Sequence, residues 1–192
     1  AAFATVRRSW KVCDLGTGSG CLLLLLSGRA TGLDLYGVEL DPTAARAARD
    51  NLMENGLGGT VWTGDWNTLP GGTGPFDLVV SNPPYFAQGS GASGGPARME
   101  GRDGLESLCR TAARLTRNGG RFALCHRPER LTDLLCALRV CGLEPKRLQL
   151  AAHPLDRPPS LVLVEAVRQG RPGLEVLPAL YRAGPGGREE GA

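Results

Sequence analysis

Short apolar runs that each end in polar or glycine-rich residues recur along this chain of 192 residues. KVCDL at residues 11–15 precedes GTGSG, and LDLYGVEL at residues 33–40 precedes Asp41 and Pro42. FDLVV at residues 76–80 precedes SNPPYF. Apolar runs of this length between turn residues are typical of buried strands, and helical patterns separate them here. The alternation predicts a doubly wound α/β fold with a mostly parallel sheet.

The full pattern predicts seven strands, four helices and one domain. The predicted strands are residues 11–15, 33–40, 60–64, 76–80, 121–126, 146–152 and 160–167, and the helices are residues 21–30, 42–56, 105–116 and 128–142. The last two strands are joined by a connection too short for a parallel crossover, so we expect the last strand to be antiparallel. Residues 87–104 are predicted to be a mobile loop, residues 1–182 a single domain, and residues 183–192 a disordered tail.

Composition narrows the class of protein. The longest strongly apolar run, residues 21–26, is too short to span a bilayer, and the first residues lack a signal-peptide pattern. We therefore expect a cytoplasmic protein without a membrane anchor, with a monomer as the default. The six cysteines show no C-x-x-C spacing and no zinc pattern with the two histidines. They are interpreted as reduced core thiols, and no metal site is predicted.

The glycine cluster DLGTGSG, at residues 14–20, follows the first predicted strand. Its spacing differs from G-x-G-x-x-G, since residue 21 is cysteine, and no G-K-[ST] of a P-loop follows. The cluster predicts a tight turn that brings the backbone close to a ligand. Asp14 at its start can accept hydrogen bonds from a cationic amine, whereas it would repel a phosphate.

Acidic residues also follow the second and third predicted strands. In this architecture an acid at the place of Glu39 accepts hydrogen bonds from ribose hydroxyls. Asp65 can accept from an adenine amino group, with Trp66 against the ring. Together with Asp14, these residues suit a ligand with adenine, ribose and an amino-acid end but no phosphate. S-adenosylmethionine fits that description.

The hexapeptide SNPPYF ends the fourth predicted strand, because two consecutive prolines cannot donate to a strand ladder. In a doubly wound sheet this strand lies beside the first, so the hexapeptide should border the ligand site. Asn82 offers a carboxamide oxygen, and Pro83, held rigid by Pro84, offers a carbonyl oxygen. Two acceptors suit a planar NH2 group, and Tyr85 supplies a ring for stacking. The pattern therefore favours methyl transfer to an amide or exocyclic nitrogen.

DLGTGSG, VELD, GDW and SNPPY, in this order, resemble the class I S-adenosylmethionine-dependent methyltransferases that act on planar amino nitrogens. GGRFALCHRPERL, GLEPKRLQ and HPLDRPPSLVLVEAV further resemble the bacterial tRNA(Val) adenine-N6-methyltransferase family. The resemblance covers about residues 2–181 and implies a Rossmann-like sheet. It also implies methylation of an adenine N6 in the anticodon loop of a tRNA. Family members carry a few tens of residues before AAFATV, so we expect this chain to be a fragment.

The resemblance also assigns roles to single residues. The cofactor would be held by Asp14, Gly16, Thr17, Gly18, Gly20, Glu39, Leu40, Asp65, Trp66 and Asn82. The target base would be held by the catalytic set Asn82, Pro83, Pro84 and Tyr85. Arg98, Arg127 and Arg130 are hypothesised to meet RNA phosphates, with ordinary solvated arginines as the alternative.

Three other interpretations stay open at this point. A release-factor glutamine methyltransferase shares GTGSG and NPPY, and its glutamine amide presents the same NH2 group. A DNA adenine methyltransferase is disfavoured because no segment resembles a target-recognition domain. The third alternative is a non-catalytic subunit that binds the cofactor or a partner, although an intact NPPY argues against it.

Overall fold

The structure is a computed structural model that describes residues 1–83, 102–152 and 158–181. The strands are β1 (Lys11–Leu15), β2 (Asp34–Glu39), β3 (Thr60–Thr63), β4 (Phe76–Ser81), β5 (Thr116–His126), β6 (Leu143–Ala152), β7 (Leu161–Arg168), β8 (Glu175–Val176) and β9 (Leu180–Tyr181). The helices are α1 (Cys21–Ser27), α2 (Pro42–Glu54), α3 (Arg102–Leu115) and α4 (Leu131–Val140). Asp41 caps α2, because its side chain accepts a hydrogen bond from the Thr43 N–H.

The strands form one sheet in the order β3-β2-β1-β4-β5-β7-β6-β8, and β9 pairs with β6. Strands β1 to β5 are parallel to one another, whereas β7 runs antiparallel to both β5 and β6. The predicted α/β fold, with a mostly parallel sheet and an antiparallel last long strand, is confirmed. Strands β8 and β9 add to the predicted seven. With two residues each they are too short to produce a hydrophobic pattern.

Two boundaries differ from the sequence prediction. Helix α3 begins at Arg102, inside the predicted loop, and ends at Leu115. Strand β5 then starts at Thr116 rather than residue 121, so residues 118–120 lie within a strand instead of ending a helix. An irregularity in the pairing of β4 with β5 absorbs these residues, and Gly119 adopts a positive φ there. The rest of the predicted loop and the predicted tail lie outside the described residues.

Each face of the sheet has its own hydrophobic core. Helices α1 and α2 pack on one face through buried residues such as Leu23, Leu26 and Leu52. Helices α3 and α4 cover the other face, where Leu108, Phe122 and other fully buried side chains meet. Burial of this apolar surface on both faces stabilises the layered fold, at roughly 25 cal/mol per Å² removed from water.

The first five residues lie against the sheet through a buried carboxylate, Glu165 of β7, which has no solvent exposure. Glu165 accepts hydrogen bonds from the Thr5 N–H and hydroxyl, at 2.6 and 2.9 Å. It also forms ion pairs with Arg121 at 2.7 Å and with Arg147 at 3.4 Å. Arg147 in turn donates to the Phe3 carbonyl and lies over the Phe3 ring. We call this set the Glu165 cluster.

All six cysteines are free thiols, but they are not all core residues. Cys13 and Cys109 are buried, and burial raises the pKa of the Cys109 thiol to about 12. Cys21 and Cys136 are exposed, so their interpretation as core thiols is wrong. An apolar sequence context does not show which side of a helix a residue occupies.

Neither membrane-spanning helices nor clusters of metal-ligating side chains occur in the described part of the chain. No helix within residues 1–83, 102–152 and 158–181 is long and apolar enough to cross a membrane. The same residues contain no group of three or more histidine, cysteine, aspartate or glutamate side chains placed to hold a metal ion.

Candidate active site

The carboxyl ends of β1 to β4 lie side by side at one edge of the sheet. Pairing of β1 with both β2 and β4 brings together the segments that follow these strands. Asp14 is thus level with Gly37 and Val80, and Leu15 with Ser81. In open α/β sheets, ligands bind at this edge. The structure therefore gathers Asp14, Glu39, Asp65 and Asn82 at one edge, as the sequence predicted.

The glycine cluster forms a tight turn fixed to β2. The N–H groups of Gly16 and Thr17 both donate to the Val38 carbonyl, at 2.8 and 3.0 Å. Gly16, Gly18 and Gly20 all have positive φ, a conformation that favours glycine. A Cβ on Gly18 would meet no atom within 4 Å, so the turn presents an open backbone surface to a ligand at this point.

Close packing supports the same turn from behind. A Cβ on Gly37 would approach the Thr17 methyl to 2.8 Å, so only glycine in β2 leaves room for the buried Thr17 side chain. Gly20 lies against Ala48 of α2: a Cβ on Gly20 would be only 3.3 Å from the Cβ of Ala48. Gly37 and Ala48 are two site-shaping residues that sequence analysis missed, because their role depends on which elements touch.

Glu39 is half-buried and already holds the backbone around the turn. Its Oε2 accepts from the Gly18 N–H at 2.8 Å, and its Oε1 accepts from the Asp41 N–H at 2.9 Å. A carboxylate has about four acceptor positions, so each oxygen can accept one more hydrogen bond. Glu39 can therefore fix the turn and bind a pair of ribose hydroxyls at the same time. The neighbouring Leu40 is 46% exposed and offers an apolar surface beside it.

Asp14 is a buried carboxyl group whose oxygens have no hydrogen-bond partner within the described part of the chain. Neither of its oxygens, nor the buried Thr17 hydroxyl, meets hydrogen-bond geometry with another described residue. Burial raises the pKa of Asp14 to about 7; the Thr17 hydroxyl lowers it, and the charge of Glu39 raises it. Unpartnered buried polar atoms are costly, and a cationic amine of a ligand would satisfy this carboxylate. Asp14 thus fits the amino-acid end of S-adenosylmethionine.

The Asp14→Asn variant should be more stable than wild type at high pH but should bind S-adenosylmethionine more weakly. Because the folded-state pKa of Asp14 lies above its ordinary value of 3.8, the folded state retains a proton that the unfolded state has lost. This contribution to stability is full below the unfolded pKa and is lost as the pH rises through about 7. The difference in Tm between variant and wild type, measured without ligand, should therefore grow between about pH 4 and about pH 7 and level off above that. A Tm difference that does not change with pH would contradict the raised pKa of the buried Asp14 carboxyl.

Asp65 and Trp66 follow β3 in a short 3-10 turn. Asp65 is exposed, and its Oδ1 caps the turn by accepting from the Asn67 N–H at 2.8 Å. Trp66 is half-buried, and its Nε1 is buried without a partner among the described residues. Its ring lies 3.5 Å from the position that a Cβ on Gly16 would take, so the indole borders the glycine turn. These positions suit contacts with an adenine at the open edge of the turn.

Asn82 is held at the end of β4 by two contacts to neighbouring strands. The Ser81 hydroxyl donates to the Leu15 carbonyl of β1 at 2.7 Å, within the core. The Cys125 thiol of β5 contacts the Asn82 carboxamide oxygen, with 2.9 Å between sulfur and oxygen. Pro83 is buried, whereas Pro84, Tyr85 and Arg98 lie outside the described residues. Cys125 is a further residue that sequence analysis missed, because only the register of β4 and β5 places it there.

A cavity of about 190 Å³ opens beside Asn82, beneath the first residues of the chain. Phe3 and Ala4 form one wall, and α1, β4, β5 and β7 supply the others. Since the Glu165 cluster holds residues 3–5, it also holds this wall.

Of the arginines predicted to contact RNA, Arg127 is exposed, and Arg130 forms an ion pair with Asp133 at 2.7 Å.

A sequence profile of the methyltransferase small domain family matches residues 2–128. The chain belongs to this family. Its fold is that of the class I S-adenosylmethionine-dependent methyltransferases. A predicted O-methyltransferase from Agrobacterium tumefaciens superposes with a TM-score of 0.69 at 22% identity, over 91% of this chain and 81% of that chain. S-adenosylmethionine, the cofactor expected from the sequence, is confirmed at the level of family and fold.

Relatives of this family member act on two different substrates. A tRNA1(Val) (adenine(37)-N6)-methyltransferase from Porphyromonas gingivalis is 35% identical, over 74% of this chain and 65% of the relative. A release factor glutamine methyltransferase from Rhodospirillum rubrum is also 35% identical, over 72% of this chain and 46% of the relative. The chain thus spans between about half and two thirds of the length of these relatives.

Proposed function

We propose that this chain is the catalytic domain of a methyltransferase that transfers a methyl group to the N6 amino group of an adenine in a tRNA anticodon loop. One observation carries the proposal. The carboxamide of Asn82 stands at the end of β4, directly beside the β1 turn that bears Asp14 and the positive-φ glycines. A planar NH2 group bound there would face the cofactor site. A tRNA substrate implies a cytoplasmic enzyme.

Several residues would hold the cofactor, each through a contact that the geometry permits. Asp14 would bind the amino group, and Glu39 would accept from the ribose hydroxyls. Asp65 and Trp66 would meet the adenine, and the open backbone at Gly18 would allow close approach. When bound, S-adenosylmethionine supplies an electrophilic methyl group on a sulfonium, which is a good leaving group.

The target nitrogen needs activation, because its lone pair is delocalised into the ring. Asn82 Oδ1 and the Pro83 carbonyl would accept hydrogen bonds from its two N–H groups and so turn the lone pair toward the methyl group. On methylation this nitrogen would give up one N–H proton to solvent, while Asn82 Oδ1 and the Pro83 carbonyl would hold the nitrogen in place. Catalysis in this scheme rests on positioning and electrostatics. Cys125 would fix the orientation of the Asn82 carboxamide through its contact with Oδ1.

The second candidate substrate is the glutamine side chain of a release factor. The release factor relative described above favours it, and a glutamine amide offers the same planar NH2 group to Asn82. The adenine is preferred because the wider sequence resemblance, through HRPERL and GLEPKRLQ, is to the tRNA enzymes. An anticodon-loop adenine is also only partly stacked, so that moving it into the site costs little. A non-catalytic role as a cofactor-binding subunit is the third candidate.

Methyl transfer from labelled S-adenosylmethionine, with unmodified tRNA and release factor offered in parallel, would decide among these candidates. We expect label in the tRNA, recovered as N6-methyladenine after digestion. Label in the release factor would keep the role of Asn82 and change the substrate. Tight binding of S-adenosylmethionine without transfer to either substrate would favour the non-catalytic role.

A further inference from the structure

A groove of about 740 Å³ runs between α3 and α4 on the face of the sheet opposite to α1 and α2. Its charged lining is dominated by arginine and comprises Arg110, Arg114, Arg130, Arg168, Glu106 and Asp133. Small side chains form its floor, since Ala113 of α3 and Ala137 of α4 are buried where the helices meet. The groove belongs neither to the cofactor site nor to the cavity beside Asn82.

Two of these arginines lack a partner among residues 1–83, 102–152 and 158–181. Arg110 and Arg114 lie one turn apart on α3, both are exposed, and neither has a hydrogen bond or an ion pair within the described part of the chain. Arg168 donates to the Cys141 carbonyl at 3.2 Å, a neutral acceptor, and its Nε is buried without a described partner. Arg130, by contrast, forms an ion pair with Asp133. The groove therefore has an excess of positive charge.

The groove leads toward the candidate active site. Helices α3 and α4 each follow a strand that ends at the carboxyl edge, so both helices start near the edge where Asn82 lies. Arg130 stands at that end, directly before α4, whereas Arg114 lies in the last turn of α3, at the far end of the groove. The ten residues of α4 span ~15 Å. That length accommodates several groups of an extended chain that starts at the active site.

We propose that this groove binds the sugar–phosphate backbone of the RNA next to the methylated nucleotide. The proposal rests on the tRNA function proposed above, and it extends that function with a phosphate-binding surface. Arginine presents a planar fork of donors that matches phosphate oxygens. Unpaired arginines spaced along a groove suit a polyanion with regularly spaced charges, and such contacts supply affinity without sequence specificity.

The test is a double substitution, Arg110→Gln with Arg114→Gln, in the full chain. Its probe is a fluorescently labelled, unmodified anticodon stem-loop RNA, with binding measured by anisotropy over a range of salt concentrations. We expect Kd for the RNA to rise about tenfold at physiological salt. The negative slope of the log association constant against log salt concentration should become shallower by about 1.4. Affinity for S-adenosylmethionine should not change, since neither arginine borders the cofactor site.

The matched control is Arg7→Gln with Arg8→Gln, which removes the same charge from two exposed residues before β1 that do not line the groove. If both double variants show the same loss of RNA affinity and the same loss of salt dependence, the groove proposal is overturned, whether or not the tRNA is methylated. If the groove variant alone loses affinity but wild type does not methylate tRNA, the groove stands and the proposed reaction falls. If wild type binds no RNA, both fall. Groove-dependent binding of the release factor would assign the surface to a protein partner instead.

Discussion

Replacing Asn82 with alanine is expected to reduce the rate of methyl transfer by about three orders of magnitude, the scale observed when a preorganised polar group at a reacting centre is removed. The side chain is exposed at the end of β4, so its loss should leave the fold intact. Cofactor affinity should change little, because Asp14 and Glu39 hold the other parts of the site. Single-turnover transfer and S-adenosylmethionine binding, measured on the same preparation, separate these effects.

Asn82→Asp is the matched variant for this prediction, because it keeps an acceptor oxygen of similar reach while adding a charge. We expect it to retain more activity than the alanine variant. A comparable loss of cofactor binding and of transfer in Asn82→Ala would contradict the role assigned to Asn82 in holding the target nitrogen. The same result would point to a role in cofactor binding alone.

Glu165→Ala should destabilise the protein by about 3 kcal/mol, since it leaves the two partner arginines without their carboxylate and removes two acceptors from Thr5. The effect should appear in urea unfolding as a lower midpoint at similar slope. Residues 1–5 should also lose their attachment to β7, which removes one wall of the cavity beside Asn82. Faster amide exchange in these residues would report that change directly.

Glu144→Ala provides the control for the buried carboxylate. Glu144 also pairs with an arginine, Arg139, at 3.2 Å, but the arginine side chain is 64% exposed. A pair of this kind contributes less than about 1 kcal/mol. Similar destabilisation by both alanine variants would show that the Glu165 cluster contributes no more than a surface ion pair.

The sequence predicted the parts of the molecule that depend on local signals. Apolar runs marked β1 to β7, and the residues just after the strands marked Asp14, Glu39 and Asn82 as site candidates. Parallel pairing then brings strand ends to one edge, so these candidates could be expected to meet before any contact was known. The roles of all the predicted site residues stay predictions, and Pro84 and Tyr85 also lie outside the described part of the chain.

Contacts between distant segments could not be predicted in the same way. Cys125 reaches Asn82 only through the register of β4 and β5, which includes an irregularity. Glu165 stands in an apolar strand, and nothing nearby in the sequence identifies Thr5 as its partner. The arginines of α3 could be assigned to a groove only when the packing of α4 against α3 was known.

The position of β7 between β5 and β6 also constrains the order in which the sheet can form during synthesis on the ribosome. Residues 143–152 leave the ribosome before residues 161–168, yet β6 pairs with β5 only through β7. Until β7 is available, the nascent chain carries an open edge on β5, and β6 has no long strand beside it. Unpaired edges of this kind are prone to wrong association, so the nascent chain is most exposed to it in the interval before β7 inserts.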